Sequence, residues 1–283
     1  MEKTKVAKIK VKGKGIKKLK RAIARAVGVL GGFERFIKKG EAVLLKPNFN
    51  TDDPFPASTA MDFLEAVIDL VYSCKPKAII VGDSSTLSMN TRKVMERKGL
   101  FRIARRYLIK VYNFDEYEWR KKIVNGIYLK KARITEFVDK VDRIILLPCL
   151  KTHKNAQLTA SLKLSVGFLR PIDRIKLHFA HLEEKVAELN TLIKPDLIIM
   201  DARKCFIAGG PAKGIVRSPG YILASTDRIA IDVEGAKIIK SFKGNSLQAD
   251  PWQLPQIKRA IQLGLGVKSE ADYEVVKLNA NKK

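Results

Sequence analysis

The sequence predicts an α/β protein: a mostly parallel, twisted sheet, or sheets in two lobes, with helices on both faces. Three observations lead there. Short aliphatic runs recur at residues 41–47 (EAVLLKP), 78–82 (AIIVG), 144–147 (IILL) and 196–201 (DLIIMD). Such continuous runs suit strands buried on both faces. Between them, apolar residues fall at helical spacing, and alternation of the two patterns implies strand–helix–strand units. Each run also ends in polar residues, where open α/β sheets hold their ligands.

Residues 6–12 alternate, with Lys8, Lys10 and Lys12 opposite Ile9 and Val11, which predicts a strand with a basic outer face. Ile16, Leu19, Ile23, Val27 and Leu30 give an amphipathic helix that ends at Gly31-Gly32. Residues 1–39 therefore read as a basic strand–helix segment packed on the core. The strand at 41–47 leads into a polar loop, after which Ser58 or Thr59 can cap a helix with Leu64, Val67, Ile68 and Val71 inward. The strand at 78–82 ends in Asp83-Ser84-Ser85. Thr91 is expected to cap the next helix, a strand at 109–114 ends at Asp115, and residues 117–134 suggest a hairpin around Asn125-Gly126.

Pro148 stops the strand at 144–147, since proline cannot donate to a ladder. Beyond it a polar loop, 151–155, and then a helix containing Lys163 and Gly167 are expected. A helix at 182–193, the strand at 196–201, a glycine-rich loop at 209–214 and a strand at 221–225 follow. Asp227 caps a helix at 227–239, and a helix at 251–263 precedes a strand at 273–277. Residues 40–240 then form the α/β domain, and 241–283 a C-terminal helix with a basic tail.

With 283 residues, 46% hydrophobic and 30% charged, the chain is expected to fold around a real core. No apolar run reaches the roughly 18 residues of a membrane span, so no membrane partner is expected. The N-terminus shows no apolar leader. Cys74, Cys149 and Cys205 are widely separated, which suits a reducing cytoplasm and argues against an iron–sulfur cluster. Lys and Arg number 55 against 29 acids, a net charge of +26. Two readings of that excess stand open. One is a lysine-rich, thermophile-like surface. The other is a polyanion partner such as RNA or the ribosome, met by lysine faces at 3–25 and 92–133. With 7% aromatic residues and no RNA-module motif, base-specific recognition is not expected.

Lys46 with Asn48, Asp83 with Ser84 and Ser85, Asp115, Lys151 with His153, and Asp201 all sit at predicted strand ends. On one edge of a parallel sheet they could converge on a cleft for an anionic small molecule. The plain alternative for each is a helix cap or a solvated loop residue. His178 and His181 are three apart, so on a helix they would share a face and, with Cys149 or Asp201, could hold a divalent metal. Lys163 lies among Leu162, Leu164, Val166 and Phe168, where a lysine either loses basicity and turns reactive or snorkels outward. The loop with Gly210 and Gly214 could turn amides toward phosphate. Neither a P-loop nor a G-x-G-x-x-G fingerprint is present.

Taken in order, Lys46-Pro47-Asn48, Gly82-Asp83-Ser84-Ser85, Leu150-Lys151-Thr152-His153, Leu162-Lys163 with Gly167, His178, the 196–201 strand, Gly210-Pro211 with Gly214, and Asp227 with Asp232 resemble the family called domain of unknown function 362. The resemblance names no reaction. It implies a pocket for an anionic small molecule or a metal-assisted reaction: His153, Lys151, Lys163 and His178 as catalytic candidates, Lys46, Asn48, Asp83, Ser84, Gly210 and Gly214 as ligand contacts, Asp201 and Asp232 as metal candidates. Some members carry ferredoxin-like iron–sulfur modules, whose cysteine clusters this chain lacks. The family pattern usually has Asn after the lysine at 163, where this chain has Leu164.

Overall fold

The computed structural model describes residues 3–279 apart from 12, 14 and 248. Lys12, assigned above to the first strand, lies outside the described residues. The chain opens with β1 (Thr4–Lys10), α1 (Ile16–Gly28), α2 (Phe33–Phe36) and β2 (Ala42–Lys46). Then come α3 (Met61–Tyr72), β3 (Ala78–Asp83), α4 (Thr91–Arg97), α5 (Leu100–Tyr107) and β4 (Lys110–Asn113). The hairpin of β5 (Trp119–Ile123) and β6 (Lys131–Thr135) and the short α6 (Phe137–Lys140) lead into β7 (Arg143–Leu146), β8 (Cys149–His153) and β9 (Gln157–Thr159). They are followed by α7 (Ser161–Leu164), α8 (Pro171–His178), α9 (Leu182–Leu189), β10 (Leu197–Gly209), β11 (Gly214–Arg217) and β12 (Tyr221–Ser225). The last elements are α10 (Arg228–Lys240), α11 (Pro255–Gln262) and β13 (Tyr273–Asn279).

The main sheet runs β13-β1-β12-β10-β7-β2-β3-β4. From β10 to β4 every neighbour is parallel, as is the β1–β13 pair. Only β12 runs against both of its neighbours on this path. The sheet is thus mostly parallel, with helices on both faces as the aliphatic runs require. Strand periodicity divides the core in two: Val43, Leu45, Ile145, Leu147, Leu197 and Ile199 pack on one face with α1 and α3. Leu44, Ile144, Leu146, Ile198 and Met200 pack on the other with α9, α10 and α11.

Several local expectations give way to other solutions. The basic face of β1 is not an outer face, because α10 and the Tyr221 ring pack against Lys8 and Lys10. Lys8 is turned to α10, its Nζ 3.6 Å from a Glu234 carboxylate oxygen, and burial lowers its pKa. Pro148 ends β7, yet the chain resumes at once as β8, which pairs with the long β10 on one side and β9 on the other. Lys151, Thr152 and His153, expected in a polar loop, are therefore strand, while Lys154 and Asn155 lie in the turn to β9. The segment after them is not one helix but β9, the single turn of α7 and a 3-10 turn at Ser165–Phe168. Asn90, not Thr91, caps α4 by accepting from the Lys93 amide at 2.9 Å. Neither Ser58 nor Thr59 caps α3; the Thr59 hydroxyl accepts from the Asn48 amide at 2.7 Å. His178 and His181 share no helix: His178 ends α8, and His181 precedes α9 with φ of 58°.

Candidate functional site

A cavity of about 460 Å³ opens where β2 and β3 end and β8 passes. This is where a parallel sheet leaves its strand ends unobstructed by the following helices. Lys46, Asn48, Asp83, Ser84, Lys151, His153, Lys163 and His178 all line it, together with Thr159 and Arg174.

At its floor, Lys46 Nζ lies 2.6 Å from Asp83 Oδ1 with both side chains buried. Burial pulls the Lys46 pKa down and Asp83 pulls it up. The pair is tied into backbone: Lys46 Nζ donates to Pro47 O at 2.8 Å, and Asp83 accepts from the amides of Phe49 and Ser84, each at 2.7 Å. Lys46 also faces the Phe168 ring, 5.5 Å from its centroid. Gly167 closes over this pair, and a Cβ there would fall 2.5 Å from Lys46 Nζ and 2.7 Å from Asp83 Oδ1. The Ser84 hydroxyl donates to Asp115 at 2.7 Å, which also accepts from Thr91 at 2.6 Å, so Asp115 braces the wall instead of facing the cavity's centre.

Asp83 is the sole carboxylate among the described residues of the lining, and Lys46 already answers it. The remaining charge is positive. Lys151 is 2% exposed and its ammonium donates to Ala57 O; burial lowers its pKa to about 8. Lys163 is 8% exposed, and its pKa falls to about 8 through burial and then through the charge of Lys151. Among the described residues its ammonium has no hydrogen-bond or ion-pair partner. A buried ammonium without a hydrogen-bonding partner costs free energy; here the Glu183 charge offsets part of it, and a bound anion, water or loss of the proton can offset the rest.

Lys163 is held by the residues around it. The carboxylate of Asp232, on α10, accepts from the Ser161 amide at 2.7 Å, the Ser161 hydroxyl at 2.6 Å and the Leu162 amide at 3.0 Å. It thereby fixes the start of α7, two residues before Lys163. Burial raises the Asp232 pKa to about 6. Asp201 is likewise buried and accepts from Arg203 Nε at 2.9 Å and Nη2 at 2.7 Å. Neither acid lines the cavity. Both of the positions read as metal candidates thus have their oxygens engaged by protein donors. Among the described residues no group of three or more His, Cys, Asp and Glu side chains is arranged to hold a metal ion.

The two histidines of the lining differ. His153 Nδ1 accepts from the amides of Asn155 at 3.1 Å and Ala156 at 3.2 Å. Burial, then the Lys163 charge, pushes its pKa down to about 2. It is a neutral hydrogen-bonding ring near pH 7, not the near-neutral acid–base group that an unperturbed histidine suggests. His178 stands exposed at the mouth, its Nδ1 2.7 Å from Arg174 O, and its pKa is lowered, first by partial desolvation against the surrounding protein. The arrangement can anchor an anion on Lys163 and offer a neutral imidazole for proton transfer.

Gly210 and Gly214 belong to the β10–β11 hairpin. Gly210 has φ of 73° and abuts Thr152 O, so only glycine fits there. Its amide donates to Lys213 O at 2.6 Å, so it is used within the turn; Pro211, not glycine, reaches the cavity. Sequence reasoning missed Arg174 and Thr159. Arg174 is 7% exposed and donates to the carbonyls of Leu169 at 2.9 Å, Ser84 at 3.1 Å and Ser85 at 2.7 Å. It joins α8 to the end of β3, and since Ser84 and Ser85 lie some 90 residues back, no local pattern marks it.

A family model described as a domain of unknown function, DUF362, matches residues 43–237, which include every residue of this site. The chain is 29% identical over 246 residues to the thylakoid-associated protein sll1697 of Synechocystis sp., covering 83% of this chain and 72% of that protein. A solved structure of a protein from Thermotoga maritima aligns with a TM-score of 0.47 and 10% identity. That alignment covers 80% of this chain and 57% of the other, so the chain spans little more than half of it.

Proposed function

This chain belongs to the DUF362 family, and from the side chains gathered at its strand ends we propose that it binds a small anionic ligand, a carboxylate or phosphate, in the cavity around Lys163. The observation that carries the reading is the Lys163 ammonium, nearly buried and unpartnered among the described residues, in a cavity whose one carboxylate is already paired. Lys151 adds a second positive charge, and His153 a neutral donor. His178, neutral and reachable from solvent, is suited to move a proton on the bound ligand. A cavity of this size matches small-molecule sites in general. The free cysteines, Cys74, Cys149 and Cys205, are buried and fit a reducing compartment such as the cytoplasm. Among the described residues no helix is long and apolar enough to cross a membrane.

The test is ligand-induced stabilisation. Millimolar acetate, sulfate and phosphate are added to the native protein and to Lys163→Met at constant ionic strength. A rise in Tm with the native protein that disappears in the variant supports the site. An equal shift in both removes Lys163 from it.

One observation favours a second, separate activity. Lys17, Lys18 and Arg21 are exposed along α1, in a chain of net charge +26. That face suits loose association with RNA or the ribosome through phosphates. Retention on an RNA column at low salt, lost steeply as salt rises and weakened by reversing those three charges, is the expected behaviour; elution free of RNA at low salt ends this reading.

A further inference from the structure

A neutral imidazole carries one N–H and one lone pair, and the partner of one nitrogen fixes the role of the other. His153 Nδ1 accepts from two backbone amides, so its proton is on Nε2. His178 Nδ1 faces a carbonyl and must donate, so its Nε2 keeps a lone pair. Both rings line the same cavity as Lys163, His153 buried like the lysine and His178 exposed at the opening. Thr159 Oγ1, on the same wall, is buried and has no hydrogen-bond partner.

The inner part of the cavity therefore offers donors, the Lys163 ammonium and His153 Nε2–H, while the mouth offers an acceptor, His178 Nε2. A bare oxyanion satisfies the first set and leaves the acceptor to water. A ligand that is an acid at one end and carries a hydrogen-bond donor beside it satisfies both. An ammonium in that second role is disfavoured by the positive charge of Lys151, Lys163 and Arg174. We infer that the ligand is a hydroxylated anion, its acid group on Lys163 and His153 and its alcohol hydroxyl donating to His178 Nε2. This rests on the anion-binding reading above and narrows its ligand class.

The experiment compares matched probes that differ by hydroxylation: glycolate against acetate, and glycerol 3-phosphate against propyl phosphate, titrated by calorimetry or NMR at pH 7.5. Native protein is expected to bind the hydroxylated member of at least one pair about tenfold more tightly, and the pair that responds tells carboxylate from phosphate. His178→Phe should bring that ratio close to one. His178→Gln, which restores an acceptor oxygen, should recover part of the preference. Lys163→Met should lose both members. A native ratio near one with clear anion binding overturns the hydroxyl inference and leaves the anion site standing. Binding of no probe by the native protein overturns both. Nitrogen-15 spectra of the two histidines give an independent reading, with opposite tautomers expected; the same tautomer in both contradicts the inference.

Discussion

Gly167 and Lys46 approach so closely that a Cβ on the glycine would lie 2.5 Å from the lysine's Nζ. The backbone of the 3-10 turn after α7 is thus laid directly over the buried Lys46–Asp83 pair, and the floor of the cavity has no room for even one added methyl. Gly167→Ala is expected to destabilise the protein by about 1–3 kcal/mol through overpacking. Chemical denaturation measures it. A variant as stable as the native protein would mean that the floor yields freely.

Breaking the pair itself is a larger change. Lys46→Met leaves the Asp83 carboxylate buried without its cation, which costs roughly 3–5 kcal/mol. Adding Asp83→Asn removes the stranded charge and is expected to recover part of that loss, measurable by a double-mutant cycle. A double variant less stable than the sum of the two singles would contradict an ion pair at this position.

Lys163 should behave in the opposite way. Its folded pKa of about 8 lies below the 10.5 of the free side chain, so the folded state holds the proton less tightly than the unfolded chain. The ammonium therefore costs stability below about pH 8, and that cost is relieved as pH rises from 8 to 10.5. Lys163→Met is expected to raise the Tm of the ligand-free protein near pH 7 while abolishing anion binding, the usual exchange of stability for function. A fall in Tm would show that the lysine has a partner in the free protein.

The same sign governs affinity. An anion prefers charged Lys163 and Lys151, both of which lose their protons near pH 8 in the free protein. Binding of an anion that stays ionised throughout, such as sulfate, should be nearly flat below pH 7. Above pH 8 it should weaken by about tenfold per pH unit for each ammonium that must be charged. Calorimetry from pH 6.5 to 9.5 checks this, and a flat profile would contradict it.

Much of the fold was legible because the aliphatic runs that make β2, β3, β7 and β10 are buried on both sides and carry no polar interruption. β8 was not, since Lys151 and His153 line the cavity and Thr152 turns its hydroxyl to the Gly209 carbonyl, so the strand loses its apolar signature. α7 is a single turn held by Asp232 from a helix about 70 residues further on, a contact that no local window contains. Of the residues read as strand ends, Lys46, Asn48, Asp83, Ser84, Lys151 and His153 line one cavity, which Lys163, singled out for its apolar neighbours, also lines; Asp115 and Asp201 do not. The sequence could not tell which acids face open space: Asp201 and Asp232 are of the same residue type as Asp83, and only their neighbours, Arg203 for one and the Ser161 amide for the other, reveal that their oxygens are taken.

The proposed site stands or falls on Lys163, a nearly buried ammonium that a bound anion would pair. Carbon-13 NMR of lysine Cε, assigned with Lys163→Met, follows its titration directly. Anion binding at Lys163 predicts a pKa near 8 in the free protein, moving upward by one or more units at saturating sulfate. A value near 10.5 that sulfate leaves unchanged would contradict it.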